Sequence, residues 1–597
     1  MSDQVEEIPM AQESGKNRPL IETVNVLDGR IAGCTDQLNF GVEKGGMNVT
    51  AYAQRQSSVS TAGASFVVTV PTMSTIIDRV VYVRSEVTFA ISGVPTNAST
   101  VLQQISGTAG TGAASLKNIA PAPFPFHHLC QNIQATVNQQ SFSFDCRQQL
   151  PMLMKMLDKE VLNKYCSMCP TQQDVYADYD EVTNRIGINN PFQGIGQYIE
   201  DQLPRGAFVS QMSVVTDSAV QGAAPAALSL TAKVKLVIYE PLLMSPFLLN
   251  SSSGGENSQG LYGVQNMRFL MNFASGSTRA LRIANKDSAG NPYTVTIDSV
   301  SNDTFLDFIM LTPHPSQAKS LVSRNVVPYL DTMRFTTVLP PDSNISSNSV
   351  QLSYIPDKVL VCYRKQLDTQ SSNDADAFIP INEVSISFAN RNGILAGTKR
   401  HQLYEMSRAN GCHQSWLEYY GVGYENIAVG SGNKNLAGSV LCLAFGKDIA
   451  ITEDYYAAGS LGQFNFYIQC NLDASALARA TAASYELVLV FVNSGLLVNE
   501  MGSTSIYTGL LTKQQVLDAA NKPTVNRSVY NRYLGGGWWS SVKSAFRKAK
   551  KYIKPVATAV KHVSGVIPHP GAQALSKTLG ALGAGNSGSG YSGGRFY

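Results

Sequence analysis

Charge is scarce in this chain. Of 597 residues only 15% are Asp, Glu, Lys or Arg, against roughly 25% in ordinary globular domains. Hydrophobic residues make up 44%, which excludes wholesale disorder, because that state needs low hydrophobicity together with high net charge. Long apolar runs are missing too. No window approaches the ~20 consecutive apolar residues of a membrane-spanning helix; Val234–Tyr239 and Tyr485–Val492 are far shorter. The first residues, Met-Ser-Asp-Gln-Val-Glu-Glu, have no basic segment leading into an apolar one. A chain made in the cytosol and not secreted through a signal peptide is therefore expected. Cysteine is sparse and odd in number, at nine. Cys362, Cys442 and Cys470 sit inside apolar strand-like runs and read as reduced core thiols. Cys166 and Cys169 have zinc or redox spacing, but no second pair completes four ligands.

Catalytic motifs are absent as well. Gly446-Lys447 is followed by Asp448 and lacks the earlier glycine of a phosphate loop. No dinucleotide-type glycine triplet opens a helix, no Gly-x-Ser-x-Gly elbow follows a strand, and His-Glu-x-x-His does not occur. The seven histidines are scattered. His127 and His128 lie in a Pro/Phe-rich stretch, and His413 neighbours Cys412. A nucleophile and its base normally meet across a fold, not as sequence neighbours, so these read as structural. No enzyme, no cofactor and no metal site is expected.

What the chain does have is strand signal. Ser65–Val70, Val80–Ile91, Lys233–Tyr239, Lys358–Tyr363, Gln463–Gln469 and Tyr485–Val492 are short and rich in β-branched residues. Several alternate with period two, and Gly, Pro, Asn and Ser clusters separate them. The expected class is mainly β, built from β-sandwiches. An internal duplication organises the strands. Ile133–Phe142 followed by Leu150–Leu157 resembles Ser385–Ile394 followed by Leu403–Arg408: an alternating strand, an Asn/Gln turn, then a short helix. The two copies lie about 250 residues apart, and each precedes by roughly 100 residues a strong strand, Lys233–Tyr239 or Tyr485–Val492. The polar Ser/Gly stretch Asn250–Gly260 then marks the boundary. This gives an extended arm over 1–60, one sandwich over 61–250 and a second over 258–530.

The end of the chain is a different material. Residues 538–597 hold nine Lys and Arg with no Asp or Glu, so the overall +3 leaves −6 on the rest. Trp539, Val542, Phe546, Ala549 and Ile553 follow helical steps of three and four, and Lys543, Arg547, Lys550 and Lys554 share that rhythm on another face. Trp538, Trp539, Phe546 and Lys551 complete a cationic amphipathic helix ended by Pro555, and a Gly/Ser-rich stretch follows. Such a helix suits an interfacial membrane peptide, electrostatic binding of nucleic acid, or docking on the negatively charged body. The segment Leu534-Gly535-Gly536-Gly537, within the linker 531–537, reads as a hinge or a cleavage site.

With these residues in view, a family resemblance emerges. The two-part β-rich body resembles the double jelly-roll major capsid proteins of virophages, polinton-like viruses and adintoviruses, with adenovirus hexon more distant. It covers roughly residues 60–530. Local strings carry it: Glu240-Pro-Leu-Leu-Met-Ser-Pro-Phe247 before Gly260-Leu-Tyr-Gly-Val-Gln-Asn-Met267, and Gln402-Leu-Tyr-Glu-Met-Ser407 near Asn410-Gly-Cys412. Leu534–Gly537 followed by Trp538 is similar to the Leu-x-Gly-Gly-x sites of adenovirus-type maturation proteases. The resemblance implies two tandem jelly rolls and self-assembly, through trimeric pseudo-hexameric capsomers, into an icosahedral virion shell. It also implies synthesis in a host cytoplasm, contacts with neighbouring capsomers and with penton or minor capsid proteins, and a viral maturation protease cutting between Gly537 and Trp538. The released tail would meet a membrane or genomic nucleic acid. The competing expectations are a single jelly-roll capsid protein with a projecting domain and a non-viral β-sandwich adhesion module.

Overall fold

A strand alternates when only one of its faces is buried. In the computed structural model, Tyr82–Ser92 buries Val83, Ser85, Val87, Phe89 and Ile91 and turns Tyr82, Arg84 and Glu86 to the opposite face, as a pleated strand with one covered side must. The structure describes residues 47–92, 119–157, 231–247, 260–283, 291–313, 324–424, 433–451, 458–477, 484–500 and 502–508, with shorter pieces at 21–26, 40–45, 212–217 and parts of 162–177.

Eight strands build a first sandwich: β1 Met47–Arg55, β2 Gly63–Thr69, β3 Tyr82–Ser92, β4 Cys130–Val137, β5 Gln140–Phe144, β6 Thr231–Pro241, β7 Asn266–Phe273 and β8 Phe305–Pro313. Eight more build a second: β9 Arg324–Leu339, β10 Val350–Tyr354, β11 Lys358–Lys365, β12 Ile381–Phe388, β13 Arg391–Ile394, β14 Leu441–Ala444, β15 Leu461–Leu472 and β16 Tyr485–Glu500. The first pairs β1-β8-β3-β6 in one sheet and β2-β7-β4-β5 in the other; the second repeats this order as β9-β16-β11-β14 and β10-β15-β12-β13. Shorter strands extend the sheets, Met212–Asp217 beside β6, Thr294–Val300 along β3 and Ser503–Thr508 along β16. Two four-stranded sheets closed over a core in this order form a jelly roll. The chain is two jelly rolls in tandem, and one jelly roll with a projecting domain does not describe it.

The duplication extends to fine geometry. Helix α1 is Pro125–Leu129, α2 Cys146–Met154, α3 Arg400–Ala409 and α4 Trp416–Tyr420. The hairpins β4–β5 and β12–β13 turn through two residues, and the first of each has a positive φ, 52° at Asn138 and 53° at Ala389, as tight hairpin turns of matched twist require. The helix after each hairpin opens on a related string, Arg147-Gln-Gln-Leu150 and Arg400-His-Gln-Leu403.

The domain boundary lies elsewhere than expected. The stretch 250–260 falls inside the first sandwich, because β7 and β8 follow it and take central places in the two sheets. The chain passes from one sandwich to the other between Pro313 and Arg324. Matching Lys233–Tyr239 with Tyr485–Val492 caused the error. β6 lies outside β3, whereas β16 is inserted between β9 and β11; the true counterpart of β16 is β8, inserted between β1 and β3. The expected arm is shorter for the same reason: β1, within residues 1–60, pairs along all of β8, from Met47 opposite Pro313 to Arg55 opposite Phe305. The hinge at 531–537 and the tail at 538–597 lie outside the described residues.

Candidate functional site at the joint of the two sandwiches

Two strands of the second sandwich break the alternation rule. β11 is buried from Val359 to Arg364, and β16 from Tyr485 to Asn493, on both faces. Their inner residues, Val359, Val361, Tyr363, Leu487, Leu489 and Phe491, fill the second core. Their outer residues, Leu360, Cys362, Val488, Val490 and Val492, belong to a cluster continuous with the first sandwich. A sheet covered on both sides reads as an unbroken apolar run, and Tyr485–Val492 is that run.

Helix α2 of the first sandwich supplies the cover. Met152, fully buried, places its sulfur 3.0 Å from Cys362 Sγ. The Gln148 carbonyl accepts from Arg364 Nη1 at 3.0 Å, and Gln149 Oε1 accepts from Thr332 Oγ1 at 2.7 Å. Arg364 also pairs with Glu486 of β16 at 2.7 Å, and both are buried. A cavity of about 50 Å³ remains beside this contact, lined by Leu150, Leu153, Tyr329 and Leu330 among others, room for no more than a water or two.

Charges lock the rest of the joint. The loop before β12 inserts Asp376 between two arginines of the first sandwich, Arg279 Nη1 at 2.9 Å and Arg282 Nη2 at 3.0 Å, with His128 Nε2 at 3.2 Å. Arg282 reaches Asp174 as well, at 3.2 Å, and the Asp376 backbone N–H donates to that same carboxylate. Burial alone would push the Asp376 carboxyl up; Arg282, Arg279 and His128 outweigh it and hold the group well below the usual carboxylate range. Nearby, Lys155 Nζ is buried against Glu418 of α4 and the Asp174 carbonyl. Beyond this network an amide relay ties Asn138 to Thr504, Thr504 to Asn499 and Asn499 to Asn325. Of the joint residues, the sequence singled out only His128 and Cys362, and both as structural. The loop before β12 is polar along much of its length, with Gln366, Asp368, Gln370 and Asn373 beside Asp374 and Asp376, so nothing set Asp376 apart.

His127 and His128 take structural places. His127 Nε2 accepts the Leu243 N–H at 2.9 Å, so Nδ1 carries the proton toward Glu240 Oε1 at 2.6 Å. Cys412 is buried, which pushes its thiol up to about 12 and removes it as a nucleophile. Cys362, Cys442 and Cys470 are buried free thiols, as expected; Cys169 is buried too, and Cys166 lies outside the described residues. Among the described residues no three His, Cys, Asp or Glu side chains group as metal ligands, and no helix is long and apolar enough to cross a membrane. The site residues expected in the tail, Leu534, Gly535, Gly536, Gly537, Trp538, Trp539, Lys543, Phe546, Arg547, Lys550, Lys551 and Lys554, all lie outside the described residues.

Comparison with known proteins matches this two-part architecture half by half. Residues 20–309 match the family described as the Sputnik virophage major capsid protein 1st domain, and residues 328–495 match the major capsid protein V20 C-terminal domain. The gap between the two matches contains the observed crossing from Pro313 to Arg324. The chain belongs to the virophage major capsid proteins. This major capsid protein is 27% identical over 586 residues to the putative capsid protein V20 of Sputnik virophage, covering 92% of this chain and 91% of that one. Its fold is similar to a chain in the cryo-EM structure of the Sputnik virophage (TM-score 0.69, 24% identity, 87% of this chain and 99% of that one). It is also similar to the mavirus major capsid protein (TM-score 0.60, 14% identity, 88% and 99%). A virophage major capsid protein is a component of the virion shell and assembles with neighbouring subunits. The joint holds the two jelly rolls of one chain together.

Proposed function

We propose that three copies of this major capsid protein close into a pseudo-hexameric capsomer, and that these capsomers tile an icosahedral shell as a purely structural, non-catalytic lattice. One observation carries the reading: each chain holds two jelly rolls of identical strand order, fixed side by side through a buried joint. Three chains then offer six near-equivalent positions, and a ring of identical head-to-tail contacts stays finite only if its rotation closes. Penton and minor capsid proteins fill the positions this symmetry leaves. Sizing by light scattering and negative-stain imaging of the purified full chain tests it. Trimers with hexagonal outlines are expected; a monodisperse monomer at high concentration overturns it.

The basic tail serves a separate step. A maturation protease cutting after Gly537 releases a peptide whose Trp538–Trp539 head and lysine-rich face suit a membrane interface. The synthetic peptide 538–565 should become helical on anionic vesicles and release their contents. A coil spectrum with intact vesicles, together with tight salt-sensitive DNA binding, would assign the tail to the genome instead.

A further inference from the structure

Half of a repeated contact is satisfied inside the chain, and its other half is left open. Within the chain, the helix that follows the second hairpin strand of the first sandwich, α2, covers the outer face of the sheet β9-β16-β11-β14. The counterpart sheet of the first sandwich, β1-β8-β3-β6, has the same strand order, but water reaches its outer face. Val237 is 38% exposed there and Ile309 42%, beside the stacked rings of Tyr82 and Tyr239. The ion pair also recurs. Arg84 of β3 meets Asp307 of β8 at 3.5 Å, as Arg364 of β11 meets Glu486 of β16 beneath α2. In both sandwiches the pair joins the two corresponding strands near the start of the inserted one. The Arg84 pair is partly open to water, whereas the Arg364 pair is closed by the Gln148 carbonyl.

The outward face of the counterpart helix is likewise open among the described residues. On α3, His401, Gln402 and Glu405 face outward, at the places that Gln148, Gln149 and Met152 hold in α2. Beside them the short helix α4 exposes Trp416, Leu417 and Tyr420, with Leu417 at 52%. Tyr404 and Tyr420 pack on Trp416, and Arg400 lies over Tyr420, so the patch is preformed.

We infer that the α3–α4 surface of one copy docks on the outer face of β1-β8-β3-β6 of a second copy, repeating between chains the joint made within each. The inference rests on the trimer reading above and names the surfaces that would close it. The substitutions along the repeat fit this division. The in-chain joint sets sulfur against sulfur at Met152 and Cys362. The open faces instead carry Glu405 and Tyr82, which tolerate water before assembly and can hydrogen-bond after it, as a contact between separately folded copies requires.

The test uses the full chain in three forms: wild type, Ile309→Lys, and an equimolar mixture of single variants Glu405→Cys and Ile309→Cys treated with a short bismaleimide. The introduced cysteines lie in different copies, and wild type and each single variant treated alone report the background from native cysteines. A trimeric wild type, loss of trimer in Ile309→Lys without a change in melting temperature, and a bridged dimer in the mixture are expected. A trimeric wild type with no bridge and an unaffected Ile309→Lys trimer would overturn this surface assignment while leaving the trimer intact. A monomeric wild type would overturn the trimer reading and this inference with it.

Discussion

Replacing Asp376 with Asn tests how the two jelly rolls are held together. The substitution keeps the shape of the side chain and removes its charge. It leaves Arg279 and Arg282, respectively 8% and 0% exposed, with the Asp174 carboxylate, 3.2 Å from Arg282, and the weaker field of Asp374 on Arg279. Stranding a buried charge by removing one partner costs about 3–5 kcal/mol, or two to more than three powers of ten in the folded ratio at about 1.4 kcal/mol per tenfold. Asp376 belongs to the second sandwich and both arginines to the first, so the loss falls on the coupling between them. Urea unfolding followed by circular dichroism should show one transition in the wild type and two in the variant, the earlier one moved to lower urea. Adding Arg279→Met should recover part of the loss, since the pair then disappears together and the coupling is read from the cycle. A single transition displaced by less than about 1 kcal/mol, the size of an exposed ion pair, would refute the view that this cluster fastens the joint.

Other outcomes follow from the same contacts. Because the Asp376 and Asp374 carboxyls lie below their usual range in the folded chain, the stability they give is fully present above about pH 4, the ordinary value of an unfolded Asp. It is lost as pH falls through the lowered folded values; melting temperature should drop on acidification, and Asp376→Asn should flatten that drop. Met152→Ala empties a fully buried site against Cys362 and should cost about 2–5 kcal/mol by chemical denaturation. Seven of the nine cysteines are buried, so a thiol reagent should titrate no more than two in the native chain and several more in denaturant.

Period and turn chemistry made the sandwiches legible. The alternation of Tyr82–Ser92 and the Asn138 and Ala389 turns are local, and local rules read them correctly. The boundary was hidden because jelly-roll strands pair far from their neighbours in sequence. β8 completes the first sandwich between β1 and β3, and its Phe-Leu-Asp-Phe-Ile-Met run carries a charge that weakens its apolar signal. The joint was hidden for another reason. Asp174, Arg282 and Asp376 look like ordinary surface charges until the fold removes the water around them, and only their juxtaposition distinguishes them. The unbroken run Tyr485–Val492 was legible as a strong strand, but its burial on both sides was not.

That two-sided burial sets an order of folding. The outer valines Val488, Val490 and Val492, with Leu360 and Cys362, need the first sandwich as a surface to settle on. During translation that surface emerges first, so the later strands meet a finished platform. A fragment beginning at Arg324 would instead display a flat β-branched strip to water, a shape that recruits other chains. The second half of this molecule therefore depends on the first as on a chaperone in the same polypeptide. Attempts to produce it alone should yield aggregate, whereas co-expression with residues 1–313 should bring it into solution.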